Sequence, residues 1–138
     1  VPAGIESPVI GYVTFCAVKL IGYSLAARMI ALRYKRPDQS ALVIGSVRTL
    51  IGMVAGAAYF SIWSVIPFAA AAGGIGYLAG LIPVRIAEWK FLLKLYFGRE
   101  GRDIPRTRQI IWLATVWSYI LDIPAIMGFV VTGGVWIC

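Results

Sequence analysis

The sequence predicts an all-α integral membrane protein: a single membrane domain over residues 1–138, built as a bundle of four transmembrane helices with a long third helix bent near Pro83. Three observations carry this expectation. The chain is 60% hydrophobic and only 14% charged, whereas soluble domains are about half apolar and a quarter charged. Four apolar stretches reach the roughly 20 residues that a helix needs to cross about 30 Å of hydrocarbon. The basic residues fall on alternate connections, with three Lys/Arg in 33–36, seven in 85–108 and none in 1–8, 62–67 or 131–138.

The first span is expected over 9–32, interrupted by Lys19 and closed by Arg28 and the basic run from Arg33 to Arg36. Pro37 and Asp38 mark the turn that follows. The second is expected over 40–62, with Arg48 inside it and Trp63 at its far end as an interfacial aromatic. The third is expected over 65–84, with Pro67 in its first turn, where a missing N–H is tolerated. Helix-compatible text then continues through 85–98 as an extension that should project into the headgroups or cytoplasm, Trp89 and Tyr96 marking the interface. The polar run 99–108 reads as a loop, and the fourth span is expected over 109–131 with Pro124 as a second kink.

Positive charge flanks the cytoplasmic ends of spans. The two basic loops, 33–39 and 98–108, are therefore placed in the cytoplasm and both termini outside, in a plasma or bacterial inner membrane. The formal charge of +7 is then a topology signal, with anionic lipid on the cytoplasmic face as its partner and no nucleic acid implied. Lys19 and the length of the first span argue against a cleaved signal peptide, and residues 1–7 are assigned no role.

The chain has no His and two Cys, Cys16 and Cys138, outside any CxxC spacing. These counts remove the usual metal ligands, proton shuttles and Ser/His or Cys/His constellations. No metal or cofactor is expected, and a catalytic role ranks last. Cys16 reads as a small buried apolar residue.

The informative residues are charges inside apolar text. Lys19 lies roughly 15 Å past Val9 along a helix, and Asp122 reaches a similar depth from the opposite side. An intramembrane charge costs about 2.5–3.5 kcal/mol on insertion scales, so each is expected to find a partner. A contact between Lys19 and Asp122 is the sharpest expectation, and Pro124 frees a carbonyl beside Asp122. Arg48 is placed about 12 Å from the cytoplasmic side, its side chain either snorkelling inward or joining Arg28, Arg85 and Glu88 in a basic pocket for an anionic headgroup or phosphate.

Small residues mark close packing in lipid. On the second helix these are Gly45, Gly52 and Gly56, and on the third Gly73, Gly76 and Gly80. They predict a tight hairpin of these two helices, with one further small-residue face left for a homo-oligomer or protein partner. Two functions follow as expectations. The leading one is a non-catalytic subunit or interaction protein of a membrane assembly; the other is an oligomeric transporter or channel for a small anionic solute, with Lys19, Arg48 and Asp122 along a polar path.

Overall fold

The computed structural model describes residues 8–67, 69–98 and 104–132, with side chains described over 12–67, 71–98 and 106–124. The described residues form four helices and no strand: α1 (Pro8–Arg33), α2 (Ala41–Val65), α3 (Ala69–Phe97) and α4 (Ile104–Thr132). Short connections turn each helix back along its predecessor, and the helices close a ring in which α1 packs on α2, α2 on α3, α3 on α4 and α4 on α1. Two helical stretches, Tyr12–Arg33 and Ala41–Val65, are long and apolar enough to cross a membrane.

Each helix buries one stripe at helical spacing. On α1 it runs through Phe15, Lys19, Tyr23, Ala27, Ile30 and Ala31; on α2 through Ile44, Arg48, Gly52 and Gly56. On α3 it includes Tyr77, Leu81, Arg85, Trp89 and Leu93, and on α4 Ile111, Thr115, Ser118 and Asp122. Large apolar side chains occupy the opposite faces, among them Ile21, Leu25, Met29, Val54, Phe91, Leu113 and Val116. The exterior is thus apolar while the buried stripes carry the charges.

The helix ends follow local chemistry. Ser40 caps α2 by accepting a hydrogen bond from the Val43 N–H at 3.4 Å. At the end of α1, Arg36 N–H donates to the Ala31 carbonyl and Lys35 N–H to that of Leu32. That pattern requires a left-handed residue, and Lys35 takes the position with φ 55°. Pro67 lies in the connection after α2, since Ile66 already leaves helical geometry and α3 begins at Ala69, later than the expected 65.

Three further expectations are corrected. The break in α3 falls at Gly73 (φ 59°, ψ −162°), a conformation open to glycine, while Pro83 sits within helical backbone. Pro124 lies inside α4, the helix in which it was expected. Residues 85–97 do not project from the bundle: Trp89 is fully buried, and Leu92, Leu93 and Phe97 join it in the apolar core with Ile30, Ile44 and Ile111. Tyr96 is partly buried against that core. The reason is register, since apolar residues in the extension continue the buried stripe of α3 and meet Ile30 and Ala31 near the end of α1 and Ile111 near the start of α4. Finally, α4 starts at Ile104, so Arg106 and Arg108 stand on a helix where a loop was expected. Residues 1–7, 68, 99–103 and 133–138, including the expected outer termini, five residues of the second basic loop and Cys138, lie outside the described residues.

Candidate functional site

Five ionisable side chains meet in the middle of the ring, and every helix contributes. Lys19 of α1 reaches the Asp122 carboxylate of α4. The other oxygen of Asp122 accepts from Arg85 Nη2 of α3 at 3.2 Å. Arg85 Nη1 donates to Glu88 Oε2 one turn along the same helix at 3.3 Å, and that oxygen also accepts from Arg48 Nη2 of α2 at 2.6 Å. The result is a continuous chain, Lys19 to Asp122 to Arg85 to Glu88 to Arg48, in which none of the five is more than 8% exposed.

Aromatic rings hold the cations in place. The Arg48 guanidinium carbon lies 4.6 Å from the Tyr23 ring centre and 4.9 Å from that of Trp89. Lys19 Nζ lies 5.0 Å from the Phe15 ring and 5.6 Å from the Tyr23 ring. Such contacts strengthen when desolvated. Tyr23 and Trp89 meet edge to face across the ring, at 6.0 Å between centres. Trp89 is anchored in turn, its indole N–H donating to Ser118 Oγ at 3.0 Å and that hydroxyl donating to the Ala114 carbonyl.

The small residues have separate tasks. Gly45 faces α1, where an added Cβ would stand 2.7 Å from the Ser24 nitrogen and 2.8 Å from its Cα, so it sets the approach of α1 and α2. Gly76 and Gly80 take the Trp63 and Tyr59 rings of α2, so α2 and α3 meet here through aromatic side chains, whereas the expected pairing of glycine faces would have brought their backbones together. Gly52 lies beside Arg48 and Arg85, and Gly56 is buried on the same face. Gly73 packs on nothing within 4 Å and serves the backbone break instead. A further close approach was missed: Gly22 meets Leu121, and the Gly22 carbonyl accepts from Trp117 Nε1 at 3.0 Å. Its signal in the sequence was a lone glycine in the buried stripe of α1.

The expected four-residue basic pocket is not what the structure brings together. Arg28 is exposed on the outer face of α1. Arg48, Arg85 and Glu88 do meet directly, and Arg85 joins them to Asp122 and Lys19 as well. Arg48 does not snorkel toward the basic end; its guanidinium lies beside Gly52, one turn further into the helix. Cys16 is half-buried, where full burial was expected.

Beyond this layer, Tyr59, Trp63 and Tyr77 pack against one another with ring centres 5.0–5.8 Å apart. The Tyr59 and Tyr119 hydroxyls donate to the successive carbonyls of Tyr77 and Leu78, at 3.0 and 2.6 Å. They thereby clamp α3 from both neighbours just before Pro83. At the opposite end Tyr34 stacks on Phe97 at 5.1 Å and shares a hydrogen bond with Thr107 at 3.1 Å. Among the described residues, no group of three or more Cys, Asp or Glu is placed to hold a metal ion.

The chain matches no family model, no curated protein and no solved structure. The arrangement can do two things chemically. It can lock four helices at a single register, and it can present guanidinium donors in a water-poor interior.

Proposed function

We propose that this chain is a small polytopic membrane protein that crosses a plasma or bacterial inner membrane four times and acts as a non-catalytic subunit of a membrane assembly. The observation that carries the reading is the inversion of charge and hydrophobicity: one charge chain joins all four helices inside an apolar exterior. Two helical stretches have the length and apolarity for spanning, and α3 and α4, at 29 residues each, run antiparallel beside them. Ion pairs consumed in helix-to-helix contacts favour a fixed scaffold, since buried pairs specify arrangement more than they add stability.

The proposed orientation keeps loops 33–39 and 98–108 in the cytoplasm and the termini outside. Exposed Arg28, Lys90, Lys94, Arg106 and Arg108 lie toward that basic end, suited to anionic headgroups. The partner-facing candidate is the start of α3, where Ala71 to Ile75 are exposed and Ile75 reaches 85%.

Mass determination of the intact assembly extracted with native lipids tests the reading. A stoichiometric second protein, lost on Ile75→Glu at the exposed start of α3, is the expected result. A homo-oligomer without partners would overturn it in favour of a transporter or channel. That second reading is favoured by one observation, that Lys19, Arg48 and Arg85 share Glu88 and Asp122 inside the bundle among the described residues. Its own test is solute flux in proteoliposomes that disappears in Lys19→Met or Asp122→Asn.

A further inference from the structure

The exposed cations of the basic end are not spread evenly around the bundle. On α3, Glu88 turns to α2, where it meets Arg48, and Trp89 turns to Ser118 of α4. At about 100° per residue, Lys90 lies as far beyond Trp89 as Glu88 lies before it, on the α4 flank, and Lys94 follows one turn later. Both lysines are exposed. On α4, Tyr119 turns to α3 through the Leu78 carbonyl, and Trp117 turns to α1 through the Gly22 carbonyl. Residues eleven apart differ by about three whole turns, so Arg108 shares the side of Tyr119 and Arg106 the side of Trp117.

The outer seam between α3 and α4 therefore collects three basic side chains, Lys90, Lys94 and Arg108, together with Trp112, which follows Arg108 by one turn and is 49% exposed. Axial levels follow from two contacts: Trp89 meets Ser118, and Phe97 and Thr107 both meet Tyr34. Lys94 thus stands level with Trp112 to within about one residue, and Arg108 lies about 8 Å nearer the basic end. Further from that end the seam continues with Pro83 and Ala87 of α3 and Val116 and Ile123 of α4, all exposed and none charged. Small residues on one wall and branched aliphatic ones on the other leave an apolar strip directly beneath a basic and aromatic one.

We propose that the outer seam between α3 and α4 binds one anionic glycerophospholipid of the cytoplasmic leaflet, its phosphate held by Lys94 and Arg108, its ester carbonyls met by Lys90, and an acyl chain lying along Ala87 and Val116. Charge complementarity selects the headgroup, since basic side chains close to a membrane surface favour anionic lipid. The order of polar strip over apolar strip selects a lipid over a free phosphate, which would use the cations and leave Trp112 and the aliphatic wall without a role; a tryptophan beside the charges is the usual companion of the headgroup level. Arg28 and Arg106 are also exposed, on other faces of the bundle, and attract anionic lipid without an adjoining seam to fix one molecule. The site rests on the membrane placement proposed above, with the basic end in the cytoplasm, and gives the anionic lipid a defined seat within it.

The experiment reconstitutes the full chain in vesicles of phosphatidylcholine and phosphatidylglycerol, then extracts it in mild detergent for mass determination of the intact protein with its bound lipid. Phosphatidylglycerol should stay with the chain in preference to phosphatidylcholine, at about one molecule per chain. Lys94→Gln and Arg108→Gln should each weaken its retention about fivefold, whereas Arg28→Gln and Arg106→Gln should leave it unchanged. All four side chains are exposed, so each variant should melt like the wild type in phosphatidylcholine alone. Equal retention of the two lipids overturns the proposal. So does a loss on Arg106→Gln as large as that on Arg108→Gln, which would mean a diffuse basic rim, and so does displacement of the lipid by millimolar inorganic phosphate, which would mean a site for the free anion. Alkaline washing of the vesicles separates the seam from the membrane placement: a chain stripped by the wash refutes both, and a chain that stays embedded without lipid preference refutes the seam alone.

Discussion

The charged layer and the turn between α2 and α3 solve the same problem, holding helices together, by opposite means. In the layer, each helix is tied to its neighbours by directional contacts among five buried ionisable groups, and a missing partner leaves a charge stranded. At the turn, α3 leans on α2 through Tyr59, Trp63 and Tyr77, whose rings adapt to small shifts, and a Cβ built at Gly73 or Gly74 would meet nothing within 4 Å. The layer therefore fixes register through charge on all four helices, while the turn end fixes it through the Tyr59 and Tyr119 hydroxyls on the Tyr77 and Leu78 carbonyls and leaves Gly73 and Gly74 unpacked. The glycine break at residue 73 is tolerated where nothing packs, and the same break beside Arg85 would dismantle the ion chain.

The comparison can be broken most severely at Asp122. Asp122→Ala strips both Lys19 and Arg85 of a partner, and a loss of about 3–5 kcal/mol is expected, read as a collapse of the thermal midpoint in detergent. An unchanged midpoint would mean that the layer does not hold the bundle. A charge exchange, Lys19→Asp with Asp122→Lys, is not expected to repair the damage, because the new lysine faces Arg85. Coupling is better read from Lys19→Met, Asp122→Asn and their combination, where contacting residues should deviate from additivity by about 0.5–3 kcal/mol.

Glycines sharpen the contrast at smaller magnitude. Gly45→Ala forces a Cβ onto the Ser24 backbone and should cost about 1–3 kcal/mol. Gly74→Ala, with nothing within 4 Å, should be neutral or raise stability by about 0.5–1 kcal/mol through helix propensity. Equal effects at the two positions would erase the distinction between the regions. Trp63→Ala removes ring contacts worth about 1 kcal/mol. Hydrogen exchange should accelerate over 71–80 while 85–97 stays protected, and acceleration in both segments would show that the turn end also supports the layer. The smallest effect is expected at Lys35→Gly, which relieves a left-handed non-glycine and should gain about 0.5 kcal/mol.

Much of the fold was legible because apolar length and helical periodicity are local properties. All four helices appear close to their expected ranges, and the depth count that set Lys19 opposite Asp122 agrees with their contact. The count worked because both residues belong to helices with clear polar boundaries. It did not reach the joining of Arg85 to Asp122, since that contact depends on how α3 and α4 are set against one another. Arg28 and Arg48 look equivalent in the sequence, each a single arginine in an apolar helix. Only the rotation of α1 and α2 about their axes sends one outward and the other against Tyr23 and Trp89.

The sequence by itself determined the helical class, the apolar exterior, the two short turns and the presence of charges that need partners, because each follows from composition and spacing along one segment. The tertiary structure decided which charges meet, that residues 85–97 are core, that the third helix breaks at Gly73, and that Gly52 stands between two guanidinium groups. Those outcomes depend on the axial shift and rotation of one helix against another, quantities set by the sum of packing and ion-pair contacts across the ring and carried by no single stretch of chain.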